Sequence, residues 1–186
     1  MTVGTRSITP LAIPTVETDR LVLRGWCEAD VDAVRVIGTD AEASRFIGGV
    51  APSWQAFRTV CTFIGHWQMR GFGFFAVEER SSGQCIGWCG LWRPDGWPDN
   101  ELGYSLIPSR WGKGYATEAA QAALRFAYTQ VGWTTAISCI DKDNFGSQGV
   151  ARHLGATLEA EDVAVNDFRA QIWRHQSPNA FLEGVA

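Results

Sequence analysis

One stretch of the sequence organises the prediction of the whole fold: Ile107-Pro108-Ser109-Arg110-Trp111-Gly112-Lys113-Gly114-Tyr115-Ala116. Before it, Leu102, Tyr104 and Leu106 alternate with Glu, Gly and Ser, which is the period of a strand. After it, alanines recur at positions 116, 120, 123 and 127, which is the period of a helix. A strand therefore ends near Pro108, and the chain turns through two glycines into a helix. Such a turn directs unpaired backbone N–H groups and the positive end of the helix dipole to one point, which suits an anion.

Two well-known phosphate sites share this outline, and neither fits the residues. A P-loop requires a glycine five residues before the Gly-Lys pair and Ser or Thr after it, but position 107 is Ile and position 114 is Gly. A dinucleotide-binding turn requires a third glycine and a later acid, but position 117 is Thr and the segment 133–140 contains no acid. A different anion site and a tight turn without a ligand both stay open at this point.

Composition limits the class of protein. A chain of 186 residues with 46% hydrophobic residues can bury one sizeable core, and its net charge of −4 without a dense Lys/Arg run argues against a nucleic-acid partner. The five cysteines are scattered, and strand alternation places Cys85 and Cys89 on one side of a strand, as reduced thiols of a cytoplasmic protein. The three histidines lie far apart, so no metal site is predicted. Neither a signal peptide nor a membrane span is present in the pattern.

The chain is expected to contain one domain at 17–176, between a loosely ordered N-terminal tail (1–16) and a C-terminal tail (177–186). In the predicted helix at 54–69, the apolar face comprises Phe57, Val60, Cys61, Ile64 and Trp67. Hydrophobic patterns and turn residues predict the remaining elements. The strands are at 18–24, 72–79, 84–92, 100–107, 133–140, 156–163 and 168–175, and the other helices are at 28–37, from 116 onward and at 144–154.

Three segments resemble the GCN5-related N-acetyltransferases, the GNAT superfamily. Trp111 to Ala116 is similar to the family's pyrophosphate loop, usually written Gln/Arg-x-x-Gly-x-Gly/Ala. Trp111 replaces the Gln or Arg at the first position of that motif, as happens in the ribosomal-protein (RimJ/RimL-like) branch. The segment from Thr18 to Arg24, followed by Asp30, resembles the opening Thr-acid-Arg-Leu-x-Leu-Arg strand of the same branch. Asn144 to Ala156 is similar to the family's Asn-x-x-Ser/Ala-x-x-Val/Leu-x-x-x-Leu-Gly-Phe segment. The likeness covers about 18–175.

The resemblance implies an α+β fold with a mixed, mostly antiparallel sheet of about seven strands, splayed at the acyl-CoA site, and about four helices. It implies a transferase that moves an acetyl group directly from acetyl-CoA, its co-substrate, to a primary amine of a protein N-terminus or a small molecule, without a metal. The cofactor-binding residues that it implies are Leu106, Ile107, Arg110, Trp111, Gly112, Lys113, Gly114, Tyr115, Ala116, Asn144 and Ser147.

Within that set, the pyrophosphate is expected on the N–H groups of Gly112 to Ala116. The side chains of Arg110 and Lys113 either add positive charge or stay in solvent. The peptide-like pantetheine arm is expected along the central strand near Leu106 and Ile107. Asn144 contacts the coenzyme in the family and is also a good helix N-cap, and one asparagine can do both.

The expected catalytic residues are Glu101 and Ser147. An amine acceptor must lose a proton, and an acid at the position of Glu101 often acts as the base in the family. The alternative is a strand-end carboxylate in water or beside an arginine. Many family members protonate the leaving thiolate with a Tyr where this chain has Ala151. Ser147 matches the serine proposed for that role in the RimJ/RimL-like branch, or it is structural. The three tyrosines are expected to pack.

The acceptor is expected between the early helices and the last hairpin, at about 40–69 and 162–168. The nine tryptophans, including Trp88 and Trp92 on one strand face, form either an aromatic pocket or part of the core. The expected partner is a small-molecule or peptide amine, with no nucleic acid and no membrane, and a homodimer stays open. The alternative functions are a regulatory module that binds acyl-CoA without catalysis and a transferase for a longer acyl-CoA.

Overall fold

The structure is a computed structural model that describes residues 12–184, so most of the predicted N-terminal tail lies outside the described residues. Within that range eight strands form one sheet in the order β1-β2-β3-β4-β5-β6-β8-β7. The strands are β1 (Val16–Glu17), β2 (Leu21–Arg24), β3 (Phe74–Glu79), β4 (Gln84–Trp92), β5 (Glu101–Leu106), β6 (Ile137–Ile140), β7 (Thr157–Val165) and β8 (Phe168–Arg174). The helices are α1 (Val31–Thr39), α2 (Gln55–Arg70), α3 (Tyr115–Phe126), α4 (Phe145–His153) and α5 (Pro178–Gly184).

The sheet is mixed and mostly antiparallel, as the sequence predicted, because β5 and β6 are the one parallel pair of neighbours in the described chain. The two-residue strand β1 was not predicted, and it pairs with β2 through Val16 and Leu23. Helix α5 was not predicted either, since 177–186 was treated as a tail. Phe181 of α5 is 2% exposed and its ring lies 5.7 Å from that of Tyr128, so burial of one aromatic ring fixes this segment.

Helices cover both faces of the sheet. The alanines of α3 and its Leu124 pack on Phe75, Leu91 and Leu102, and the small side chains allow the helix to lie close to the strands. On the other face, α1 and α2 pack against Phe74 and Trp88. Among residues 12–184, no helix has the length and apolar character needed to cross a membrane.

Helix α2 buries a different face from the predicted one. Val60 and Trp67 are buried as expected, but Phe57 is 57% exposed and Ile64 is 37% exposed, and Cys61 is also exposed. The buried aromatic residue is Phe63, whose ring lies 5.0 Å from Phe74 and 5.5 Å from Trp88. The apolar stripe of α2 is wider than the surface that it contacts, so periodicity alone identified the wrong edge of the stripe.

The prediction that Cys85 and Cys89 face one side of the sheet is wrong. The register of β3 with β4 shifts between Val77, which pairs with Gly87, and Glu78, which pairs with Cys85. One extra residue in β4 reverses the alternation of side chains between the two cysteines. Gly87 has φ +144°, and a Cβ there would lie 2.2 Å from the Ser105 carbonyl oxygen, so only glycine fits where β4 meets β5.

Candidate active site

Strands β5 and β6 are joined at one end and diverge at the other. Their ladder holds the single pair Glu101 and Ile137, and the Ser138 hydroxyl donates to the Leu102 carbonyl at 2.7 Å beside it. Beyond these contacts β5 continues to Leu106, whereas β6 pairs only with β8. This is the splay that the sequence predicted. It opens a gap in the sheet that side chains from both faces can reach.

The glycine-rich loop follows directly from the free end of β5. Gly112 and Gly114 have φ of +70° and +78°, and Glu118 N–H makes the first bond of the helix by donating to the Gly114 carbonyl at 3.1 Å. Within residues 12–184, no group accepts a hydrogen bond from the N–H groups of residues 112–116. A Cβ at Gly112 would meet no atom within 4 Å. The loop is therefore an open cradle of unpaired donors at a helix start, which fits an anionic phosphate group.

Two side chains at the start of the loop, Arg110 and Trp111, are fixed by hydrogen bonds to other parts of the protein. Arg110 Nη2 donates to Glu79 Oε2 at 2.8 Å, so its guanidinium faces a carboxylate. Trp111 Nε1 donates to the Leu106 carbonyl at 2.7 Å, which leaves that oxygen one lone pair for a second donor. Lys113 is exposed, and no carboxylate in the described chain pairs with its ammonium group. The sequence left open whether Arg110 and Lys113 stay in solvent, and in the structure only the Lys113 side chain does.

Glu101 lies at the joined end of the splay and is 8% exposed. Trp97 Nε1 donates to its Oε2 at 2.6 Å, and Cys139 N–H donates to its Oε1 at 3.1 Å. Neither alternative considered from sequence holds, because the carboxyl group is neither in water nor beside an arginine. Burial raises the pKa of Glu101 to about 7, while the hydrogen bonds from Cys139 and Trp97 favour its carboxylate form. A carboxyl group of this pKa exchanges protons readily at neutral pH.

Helix α4 borders the open end of the gap. Asn144 Oδ1 accepts from Ser147 N–H at 3.1 Å, which confirms Asn144 as the N-cap of α4. The Tyr104 hydroxyl donates to the Ser147 carbonyl at 3.0 Å. Tyr104 lies on the α3 side of β5 and Glu101 on the opposite side, and both line the same groove as Asn144 and Ser147. The structure therefore brings Glu101, Ser147 and Tyr104 to one groove, and the catalytic roles of Glu101 and Ser147 stay a prediction.

The groove has a volume of about 970 Å³ and continues from the splay to the surface between α1, α2 and the β7–β8 hairpin. Trp88 forms part of its floor while also packing against Phe63, so this tryptophan belongs both to the pocket and to the core. Trp97 and Phe168 form one rim, with ring centroids 5.8 Å apart. In the described part of the chain, no group of three or more His, Cys, Asp or Glu is arranged to hold a metal ion.

Sequence reasoning missed the hydrogen bonds of three side chains that shape this site. Trp97 lies in a loop, and no periodicity indicates that it donates to Glu101, four residues later. Tyr104 was expected to pack, like the other two tyrosines. Glu79 ends a strand whose pattern contains no sign that its carboxylate binds Arg110 and Tyr115. Only the polar character of the last residue of that apolar strand was available as a signal.

Comparisons with known proteins agree with this geometry. Residues 20–157 match the model of the family described as Acetyltransferase (GNAT) domain. The uncharacterized N-acetyltransferase YoaA of Bacillus subtilis (strain 168) is 26% identical over 149 residues, covering 78% of this chain and 84% of that protein. The acetyltransferase from Agrobacterium tumefaciens str. C58 has a crystal structure that matches with a TM-score of 0.80 and 29% identity, covering 92% of this chain and 99% of that one.

The fold is also that of RimL, the ribosomal L7/L12 α-N-protein acetyltransferase, solved in complex with coenzyme A. That match has a TM-score of 0.70 and 19% identity, and it covers 87% of this chain and 96% of RimL. At this identity the likeness concerns the fold alone. The family model covers most of the sheet, the glycine-rich loop and α4. The chain therefore belongs to the GNAT acetyltransferase family.

Proposed function

We propose that this acetyltransferase uses acetyl-CoA to acetylate a primary amine, either of a protein N-terminus or of a small molecule. The observation that carries the proposal is the position of Glu101. Its carboxyl group, with a pKa of about 7, lines the groove where β5 and β6 diverge. The same gap leads along β5 to a loop with five unpaired N–H groups, at residues 112–116. The groove thus contains a proton acceptor, and β5 runs from that groove to the anion-binding loop.

The coenzyme is assigned to the side of the gap that faces α3 and α4. Bound acetyl-CoA supplies the activated acyl thioester. The N–H groups of Gly112 to Ala116 would hold its pyrophosphate, and Leu106 and Ile107 would border its pantetheine arm. The Ile107 N–H already donates to the Ile86 carbonyl at 2.9 Å, so Ile107 can offer the arm only its carbonyl oxygen. Asn144 and Ser147 would border that arm from α4. In this assignment Trp111 and Arg110 contribute by fixing the loop, and Lys113 contributes charge.

We place the chain in the RimJ/RimL-like branch within this proposal. Trp111 occupies the position where that branch departs from the rest of the family, and its indole N–H fixes the loop to Leu106. The opening motif from Thr18 to Arg24 also has a structural role. Arg20 donates to Glu118 Oε2 at 2.6 Å and to the Lys113 carbonyl at 2.9 Å, so the motif joins the first strands to the loop.

Glu101 is proposed to remove the proton from the acceptor amine, directly or through water. At and above pH 7 an appreciable fraction of its carboxyl groups is ionised and able to accept a proton. The surrounding groove excludes much of the solvent and offers aromatic walls at Trp97 and Phe168 to the organic part of the acceptor.

The proton that the departing thiolate requires is assigned to Ser147. Ala151, at the usual tyrosine position, is fully buried and has no proton to give. Ser147 is half-buried beside the splay and lines the groove. Tyr104 is the rival donor, because its hydroxyl reaches the backbone of the same residue. Burial raises the pKa of Tyr104, which keeps the phenol protonated.

The decisive experiment measures thiol release from acetyl-CoA over a panel of small amines and peptides with free N-termini. We expect release that depends on at least one acceptor and produces its N-acetylated form, identified by mass. Binding of CoA by calorimetry, with no release for any acceptor, would instead support the regulatory module. Faster release from butyryl-CoA or longer thioesters would support the longer acyl donor.

A further inference from the structure

Two carboxylates lie next to the proposed phosphate loop, where negative charge would repel the coenzyme. Glu118 is in the first turn of α3, and Glu79 ends β3 beside the loop. Glu79 is 7% exposed, so water does not screen its charge well. A buried carboxylate at an anion site requires a compensating cation and a reason to be there.

Glu79 accepts three side-chain hydrogen bonds from three different segments. Arg110 Nη2 donates to Oε2 at 2.8 Å, the Ser82 hydroxyl donates to the same oxygen at 2.8 Å, and the Tyr115 hydroxyl donates to Oε1 at 2.8 Å. Ser82 belongs to the β3–β4 turn, Arg110 ends the short 3-10 turn after β5, and Tyr115 begins α3. Glu79 therefore connects the sheet to both ends of the loop.

The four residues between Arg110 and Tyr115 are the turn that contains both glycines of positive φ. Glycine has the greatest conformational freedom in an unconstrained chain, so a turn with two glycines loses much entropy when it adopts one conformation. Fixing residues 110 and 115 to one carboxylate limits that freedom before any ligand arrives. Preorganisation of this kind increases affinity by lowering the cost of ordering on binding.

The charge of Glu79 is compensated locally. The hydrogen bond from Arg110, followed by those from Ser82 and Tyr115, lowers the pKa of Glu79 to about 2, so the carboxylate is ionised at physiological pH. The guanidinium of Arg110 balances it, and Arg110 Nε is buried without an acceptor in the described chain. On the other flank, Arg20 balances Glu118 and lies 4.5 Å above the Tyr115 ring.

We infer that Glu79 is a positioning residue for the coenzyme: by binding Arg110 and Tyr115, it holds the turn at 111–114 in the conformation that presents its N–H groups to a pyrophosphate. The inference rests on the proposed function, because it assumes that the loop receives the coenzyme phosphates. It assigns Arg110 to Glu79 rather than to the phosphates themselves.

The test compares two probes, CoA and pantetheine, which lacks both the pyrophosphate and the nucleotide. Their affinities for the full chain are measured by calorimetry for wild type and Glu79→Gln. We expect CoA to bind about tenfold more weakly to the variant, since one charged hydrogen-bond network is lost, and pantetheine affinity to stay within about twofold. Equal losses for both probes, or no loss for either, would overturn the inference.

A neighbouring carboxylate provides a matched control. Glu78 precedes Glu79 in the same strand and accepts from Arg24 Nε at 2.7 Å, away from the loop. We expect Glu78→Gln to leave the affinities for both probes unchanged. If Glu79→Gln does not fold, Tyr115→Phe removes one of the three hydrogen bonds and should weaken CoA alone by about threefold. Failure of wild type to bind CoA at all would refute the proposed function instead.

Discussion

The two halves of the proposed site, one for the coenzyme and one for the acceptor, are built from different parts of the polypeptide. The proposed coenzyme half consists mainly of backbone N–H groups from one continuous segment, residues 106–116, and hydrogen bonds of the Arg110 and Trp111 side chains fix that segment. The acceptor half consists of side chains from distant segments, including Trp88, Trp97 and Phe168. A backbone site can bind the same coenzyme through many changes of sequence. In a site built from side chains, each substitution alters the shape or the chemistry that selects the ligand.

This difference indicates that the acceptor half determines which acceptor the protein selects. The coenzyme half should depend on the few side chains that hold the loop, such as Glu79, and be damaged by added side chains, because its donors belong to the main chain. The acceptor half should respond in the opposite way, since each missing side chain removes a wall or a proton acceptor. Glu101 and Ser147 lie where the two halves meet. The following variants test whether the two halves respond to substitution in these different ways.

The largest effect is expected for Glu101→Gln, which keeps the shape of the side chain but cannot accept a proton. With a reactive amine, we expect kcat to fall by about 10²–10⁴-fold below the acceptor's pKa and the deficit to shrink above it, where the amine is already neutral. The pH dependence of kcat measures this, with CoA affinity expected near wild type. A loss that is constant with pH would make Glu101 a positioning residue.

The next effect tests the coenzyme half by adding a side chain. Gly114→Glu places a non-glycine residue at φ +78° and brings negative charge to the anion site. We expect CoA affinity to fall by about a hundredfold in calorimetry. Gly132→Glu is the matched control, because Gly132 has φ +81° and open space around it at the far end of the α3 segment. An equal loss of affinity in both variants would separate the loop from coenzyme binding.

A smaller effect is expected for Ser147→Ala. If the Ser147 hydroxyl protonates the thiolate, kcat should fall about tenfold at every pH, less than full general-acid help because Tyr104 or solvent can substitute. Tyr104→Phe is measured beside it. A fully active Ser147→Ala variant together with an impaired Tyr104→Phe variant would reverse the assignment, and the serine would then have only its backbone role beside the Asn144 cap.

The strand, turn and helix around the glycine-rich loop were the part of the candidate site that the sequence could predict. Glycine spacing, Pro108 and the alanine period specify a strand, a turn and a helix within a dozen residues, and backbone donors follow from that local geometry. Asn144 was likewise predictable as a cap. Helix α5 was not, because its position depends on Phe181 finding a site beside Tyr128, 53 residues earlier in the sequence.

The acceptor half depends on such long-range contacts throughout. The sequence could nominate Glu101 by its place in an otherwise apolar strand. Its partner Cys139 meets it only after the sheet has assembled, and no pattern in the preceding loop indicates that Trp97 turns toward it. The predictions of the buried face of α2 and of the side-chain alternation in β4 were wrong for the same reason. Periodicity identifies apolar faces, and tertiary packing decides which of them is covered.

The smallest effect tests one of the two contacts of Glu101. Trp97→Phe keeps an aromatic ring at the rim and removes the N–H that donates to Glu101 at 2.6 Å. That bond stabilises the carboxylate, so its loss favours the protonated form and should raise the pKa of Glu101 further above its present value of about 7. Because the base acts when deprotonated, the rise of kcat with pH should move upward by about one pH unit.

The same variant should be almost as active as wild type at high pH, where Glu101 is ionised in both. Trp26→Phe is its control, since the Trp26 indole N–H donates at 2.8 Å to the Phe74 carbonyl and not to Glu101. An unmoved pH profile for Trp97→Phe would mean that burial and Cys139 alone determine the protonation of Glu101. The rim tryptophan would then affect only which acceptor binds, and the acceptor KM would change in place of the pH midpoint.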